Sequence, residues 1–202
     1  MIKIEVSDAE ARAALKALTD RAENLAPVLK AIGEVIAERA SDRFGTSTGP
    51  DGQRWEPNAR ATIEAFLRQK SGEYAKYSDV DTRQEKLSRV GNKKGFYDKK
   101  GQIASRGIAA VLSKLPLVQT KELGHTIHSQ LVGNNAVEIG TNRFAGDIKG
   151  GAAIHQFGGQ AGKGHKVTIP ARPFLPITRT GELYQEDRAL VICMLNNYIA
   201  GK

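Results

Sequence analysis

The chain has 202 residues, with 30 Lys and Arg against 22 Asp and Glu, a formal net charge of +8, and only 6% aromatic residues. That length supports one domain with a real core, a mean hydropathy of −0.39 leaves much solvated surface, and the single cysteine, Cys193, excludes an internal disulfide and fits synthesis in a reducing cytoplasm. No apolar run reaches the ~20 residues a bilayer span requires, and the alternating Met1-Ile2-Lys3-Ile4-Glu5 start lacks a signal peptide's apolar core, so a soluble intracellular product is expected.

Ile2, Ile4 and Val6 alternate with charged residues and predict a half-buried strand. Ser7 with Glu10 reads as a capping box opening a first helix, whose face is Ala11, Ala14, Leu15, Leu18 and Ala22. Pro27 suits a first-turn position and opens a second helix. Its stripe, Val28, Leu29, Ile32, Val35, Ile36 and Ala40, continues to about Phe44. Residues 45–57 form a loop with a tight Pro50-Asp51-Gly52 turn, and the sole tryptophan, Trp55, follows it. Trp55 either plugs its own core or anchors a neighbouring subunit. A short helix is predicted from Thr62 to about Lys70, carrying Ile63, Phe66 and Leu67.

Periodicity is lost over residues 71–101, where glycines interrupt the clusters Lys93-Lys94 and Lys99-Lys100 among Tyr74, Tyr77, Phe96 and Tyr97. Residues 68–121 hold 13 Lys and Arg, Arg106 included, against 5 Asp and Glu; the rest of the chain holds 17 of each, so the whole charge surplus lies in this segment. It is expected to be a mobile basic insertion, at about 71–118, because it cannot bury enough apolar surface to order itself. A short helix from Ile103 to Leu115 is ended by Pro116. Two strands, about His125 to Leu131 and Ala136 to Thr141, flank Gly133-Asn134-Asn135 as a hairpin.

The stretch from Gly151 to Thr178 organises the chain. A short apolar turn carries Ile154, His155, Gln156 and Phe157 and breaks at Gly158-Gly159; a Gly/Lys-rich tip follows, then Val167-Thr168-Ile169 leads into Pro170-Ala171-Arg172-Pro173-Phe174-Leu175. The two X-Pro steps hold Ile169 and Arg172 extended, which makes a stiff arm with set side-chain directions. A last helix, capped by Thr178 or Thr180, is predicted from Gly181 to Ile199, with Leu183, Leu190, Val191, Met194, Leu195 and Tyr198 on one side and Asp187 interrupting. Cys193 falls in that pattern and is expected to be a buried, inert thiol. Strands and helices do not alternate as βαβ units, so the fold class is α+β: a small, largely antiparallel sheet packed by N-terminal and C-terminal helices, with long loops.

The A-x-I-H-Q-F-G-G block followed by V-x-I-P-A-R-P-F-L resembles the C-terminal signature of the phage virion morphogenesis family, the tail completion or head-tail joining proteins of Mu-like tailed phages. Gly49-Pro50-Asp51-Gly52-Gln53-Arg54-Trp55, and Leu123-Gly124-His125-Thr126-Ile127 ahead of Val137-Glu138-Ile139-Gly140-Thr141, fit the family in the same order. The resemblance implies a single tail-completion-like domain over residues 1–202, made in the host bacterial cytoplasm and ending in the virion, at the head-tail junction or tail end. The partners it implies are further copies of the chain in a ring, the tail tube or tail terminator, and the head connector.

His125 and His128, three apart on a strand, would face opposite sides, and no Cys pair or Glu stands at ligand spacing, so neither a metal nor another cofactor is expected. No nucleophile elbow, phosphate loop or carboxylate pair supports an enzyme. Interface candidates are Trp55, Arg172, Phe174, His155, Gln156 and Phe157. Arg172, set between two prolines, either reaches a partner's carboxylate or carbonyls or pairs with an acid of the last helix; Phe174 reads mainly as core, and His155 as bonding within its own turn. The resulting reading is a non-enzymatic structural protein of a tailed phage or prophage. Its rivals are a basic nucleic-acid-binding protein, since Tyr and Phe interleave the basic segment, and a hydrolase using His155.

Overall fold

The computed structural model describes residues 8–71, 96, 103–118, 122–142, 151–161, 164 and 167–202. The predicted strand Ile2–Val6, the Ser7 cap, Lys93, Lys94, Lys99, Lys100 and most of the segment expected to be mobile lie outside them. The chain forms two compact units, one of Met1–Trp55 with Lys121–Lys202 and one of Glu56–Thr120. Among the described residues the first unit has helices α1 (Ala9–Glu23) and α2 (Ala26–Thr46), and the second has α3 (Arg60–Ser71) and α4 (Ser105–Leu112). The first unit continues with α5 (Glu122–His125), β1 (Ile127–Val132), β2 (Ala136–Thr141), α6 (Gly151–Phe157), β3 (Gly159–Ala161), β4 (Val167–Ile169) and α7 (Gln185–Ala200). No described helix is long and apolar enough to cross a membrane.

The class is α+β, as the element order predicts. Among the described residues the strands make two antiparallel ribbons, β1 with β2 and β3 with β4. In the first, Val132 faces Ala136 across the three-residue turn and the register runs one-to-one to Ile127 opposite Thr141.

Helix α2 is the axis of the first unit. Of its predicted stripe Val28, Ile32, Ile36, Ala40 and Phe44 are buried, while Leu29 and Val35 are half-buried. Leu190, Val191, Met194, Leu195 and Tyr198 of α7 pack against Val28, Ile32 and Ile36, together with Ile139 of β2. Burying Val28, Ile32, Ile36 and Phe44 contributes about 1.5–3 kcal/mol each. Gly33, which the stripe does not predict, lets the hairpin approach: a Cβ there would lie 2.7 Å from Val137 Cγ2 and 2.8 Å from Ser129 Cβ.

Several local expectations are corrected. Helix α1 starts one residue late, with Asp8 at its N-cap position making no side-chain cap bond because its carboxylate takes the Arg12 Nε at 2.7 Å. No residue of α1 is buried, and Leu15 of its apolar stripe is 63% exposed. His125 ends the one-turn helix α5 instead of opening a strand. Helix α7 begins four residues late because an Ile177–Leu183 bridge closes a turn first, in which Thr178 Oγ1 accepts from the Glu182 N–H instead of capping the helix. Cys193 is exposed: at about 100° per residue it falls outside the half-buried stripe of α7 formed by residues 190, 191, 194 and 195.

In the second unit α4 stops at Leu112, short of Pro116. Asn58 Nδ2 donates to the Lys114 carbonyl at 3.0 Å, and the Lys114 ammonium stands 5.5 Å from the Phe66 ring centroid, with burial pulling its pKa down. The Ala104 N–H donates to the Phe96 carbonyl at 2.8 Å. Arg106 is exposed on α4.

Candidate functional site

The stretch expected to be a stiff arm folds inward. After the β3–β4 ribbon, residues 170–177 form a strap that belongs to no strand ladder, bends at Leu175 and Pro176 and ends at Ile177, which bridges Leu183. Pro170, Pro173 and Pro176 fix the backbone and remove three N–H donors, so the strap cannot be an ordinary central strand. Buried backbone groups must still be paired, and here side chains do it.

Gln156 supplies most of the pairing. Its carboxamide is buried at 4% exposure; Nε2 donates to the carbonyls of Leu175 at 2.9 Å and Ile177 at 3.0 Å, and Oε1 accepts the N–H groups of Phe174 and Leu175, both at 2.9 Å. One amide thus meets all four of its hydrogen-bonding capacities on the strap. The His155 carbonyl accepts the Arg172 N–H at 2.7 Å. Helix α6 can present these groups because Gly158, at φ +71°, reverses the chain sharply; a Cβ there would lie 2.9 Å from the Ala171 nitrogen. Arg179 Nη2 closes the helix end by donating to the Phe157 carbonyl at 2.7 Å.

The other side of the strap is held from α2 and the turn after it. Ser47, left-handed at φ 54°, ends α2; a small hairpin then forms through the Thr48–Arg54 bridge, with the Gly52 N–H on the Gly49 carbonyl at 3.0 Å. This places Trp55 so that Nε1 donates to the Pro173 carbonyl at 3.1 Å. The Trp55 and Phe44 rings meet edge-on at 5.5 Å, and Phe44 lies 5.3 Å from Phe174, which is fully buried. The Trp55 ring therefore belongs to its own unit's core, as does Phe174.

A buried charge pair completes the clamp. Asp187 of α7 has no exposure; it accepts Arg43 Nη2 at 2.6 Å and Arg39 Nε at 2.9 Å, and Arg43 Nη1 donates to the Phe174 carbonyl at 2.8 Å. Arg39 also stands 3.8 Å from Glu186. Arg43 thus joins an acid of the last helix to the strap. The signal was present: Arg43 lies on the buried face of α2, and Asp187 breaks the stripe of α7, so the two pattern-breakers satisfy each other. Beside them an open groove of about 240 Å³ is lined by Arg39, Asp42, Thr46, Thr48, Gly49 and Glu186, among others.

The remaining candidates are placed as follows. Arg172 is buried at 7% exposure, and its charge, after burial itself, lowers the pKa of His155 below the ordinary imidazole value. Among the described residues the buried His155 Nδ1 has no hydrogen-bond partner. Phe157 is half-buried. His128 Nδ1 meets the Thr126 carbonyl at 3.0 Å, and among the described residues no cluster of His, Cys, Asp and Glu could hold a metal ion. What the arrangement does is mechanical: α2, α6, α7 and the Trp55 turn grip one extended segment.

The sequence profile of the phage virion morphogenesis family matches residues 6–97 and 99–197. Over 67 residues the chain is 51% identical to Mu-like prophage FluMu G protein 2 of Haemophilus influenzae, a match spanning 33% of this chain and 44% of that relative. The chain thus matches less than half the length of that curated relative. No solved structure matches.

Proposed function

Because this chain belongs to the phage virion morphogenesis family, with a phage structural and assembly role, we propose that it completes the tail or joins tail to head during virion assembly. In this reading it acts without catalysis, as a closed ring of identical copies at the head-tail junction or tail end. Its partners are the tail tube or tail terminator on one side and the head connector on the other. The observation that carries the reading is the family match along nearly the whole chain. The clamped strap supports it, because a rigid subunit suits an assembly that must keep its shape while genome passes.

A chain-terminating mutant of a phage carrying this gene is expected to produce filled heads and tails that fail to unite, or tails with defective ends, by electron microscopy. Normal yields of infectious particles would overturn the proposal. The charge surplus of residues 68–121 favours a second, subordinate property, weak and salt-sensitive DNA contact, since each phosphate neutralised releases counterions. A mobility shift titrated with salt tests it, and nanomolar binding that survives physiological salt would favour the nucleic-acid-binding rival instead.

A further inference from the structure

The β1–β2 ribbon presents two strand edges with, among the described residues, no partner strand. Open edges template pairing with another chain, and proteins ordinarily blunt them with lysines, prolines or bulges. None of those devices is present. The strands read Ile-His-Ser-Gln-Leu-Val and Ala-Val-Glu-Ile-Gly-Thr, with Glu138 the single carboxylate and no Lys, Arg or Pro. The one-to-one register leaves no bulge. The ribbon is also held firmly from behind, by the close approach at Gly33 and by Ile139 in the α2–α7 cluster. Its edges are therefore presented in a fixed orientation.

We propose that the β2 edge of one copy pairs antiparallel with the β1 edge of the next copy. This rests on the ring reading above and assigns its subunit contact. The occupant is a second copy because the two strands carry side-chain rows that already sit opposite each other within each ribbon: His128 faces Gly140, Gln130 faces Glu138 and Val132 faces Ala136. Repeating that register between copies sets Gln130 of one against Glu138 of the other, amide against carboxylate. It also continues the inner row of Ile127, Leu131, Val137 and Ile139, whose side chains are half-buried. Pairing β2 with β2 about its middle would instead bring two Glu138 carboxylates together, which is unfavourable. Joining two different edges is a head-to-tail contact, the kind that closes into a ring when the rotation between copies closes. Main-chain hydrogen bonds would supply the affinity, as in other strand-addition interfaces.

The test uses the full chain in a Cys193→Ser background, since Cys193 is exposed. Gln130→Cys and Glu138→Cys are made as separate proteins; both side chains are exposed, so each variant keeps the fold, which its melting profile confirms. Native mass is measured first, then a short bis-maleimide linker is added to each variant alone and to their mixture. Linked dimers confined to the mixture, in an assembly larger than a dimer, are the expected result. An assembly of ring size without linkage in the mixture overturns the edge contact and leaves the ring reading standing. Linkage within Gln130→Cys alone assigns a two-fold β1 contact and overturns the proposal. A chain that is monomeric at every concentration and in purified particles overturns the ring reading itself.

Discussion

Replacing Gln156 by Leu keeps nearly the same volume and removes every hydrogen bond of the carboxamide, so it isolates the polar half of the clamp from its packing. Four strap groups lose their partner: the N–H of Phe174, the N–H and carbonyl of Leu175, and the carbonyl of Ile177. An unsatisfied buried group costs about 1–3 kcal/mol. Phe174 has no exposure and bears that cost in full, whereas Leu175 and Ile177 are half-buried and can be partly rehydrated. Counting about 2 kcal/mol for the first and about 0.5 for each of the others gives a loss of about 3.5 kcal/mol, a large share of the 5–15 kcal/mol typical of a domain. Urea unfolding followed by tryptophan fluorescence reads this directly, because Trp55 is the sole tryptophan and bonds to the strap at Pro173. With an unchanged slope of about 2 kcal/mol per molar urea, the midpoint should fall by roughly 1.5–2 M. Gln156→Glu adds a second signature. Its carboxylate can still accept the two N–H groups but opposes the two carbonyls, so its pKa should rise in the fold. The stability lost at neutral pH should then be partly regained as pH falls and the acid protonates. A loss under about 1 kcal/mol in Gln156→Leu would show that the prolines and the Phe174 ring hold the strap without the amide.

Two further substitution experiments probe the rest of the clamp. Asp187→Ala leaves the Arg43 guanidinium buried without its counter-charge and is expected to lose about 3–5 kcal/mol, whereas Arg39→Ala, at a 41% exposed side chain, should lose about 1 kcal/mol or less; equal losses in urea midpoints would contradict the assignment of the buried pair. His155 is held below its ordinary pKa of 6.5 by burial and then by Arg172, so the fold favours its neutral form. As pH falls below 6.5 the unfolded chain takes up a proton that the folded chain does not, and stability should drop until the folded-state value is passed. Wild type minus His155→Phe, compared by urea midpoints across that window, should show the drop, and parallel pH profiles would refute it.

What the sequence made legible is whatever follows from local period and backbone restriction. Most of the α2 stripe from Val28 to Phe44 is buried as its 3.6-residue spacing requires, with Leu29 and Val35 half-buried at its edge, and the Gly133-Asn134-Asn135 turn joins the two strands expected around it. The stiffness of the strap was equally legible, because proline fixes φ whatever surrounds it. Its destination was not. Conformation restricted to the extended region says nothing of whether a segment points outward or lies in a core, and that was decided by partners far away in the chain. Arg43 and Asp187 are 144 residues apart, and Trp55 reaches Pro173 over 118. Polar residues on apolar faces were the available clue. Cys193 shows the converse error: being apolar and inside a helical window is not enough, since a step of one residue turns a side chain by about 100° away from the buried row at Met194. These placements change what mutations in the signature block can teach. Gln156, Trp55 and Phe174 are engaged within their own subunit, so substituting them reports on folding before it reports on any partner. Contacts between copies are better sought on groups the fold leaves unsatisfied. Among the described residues no strand pairs with the outer edges of β1 and β2, and Gln130 and Glu138, both exposed, can be changed there without entering the core.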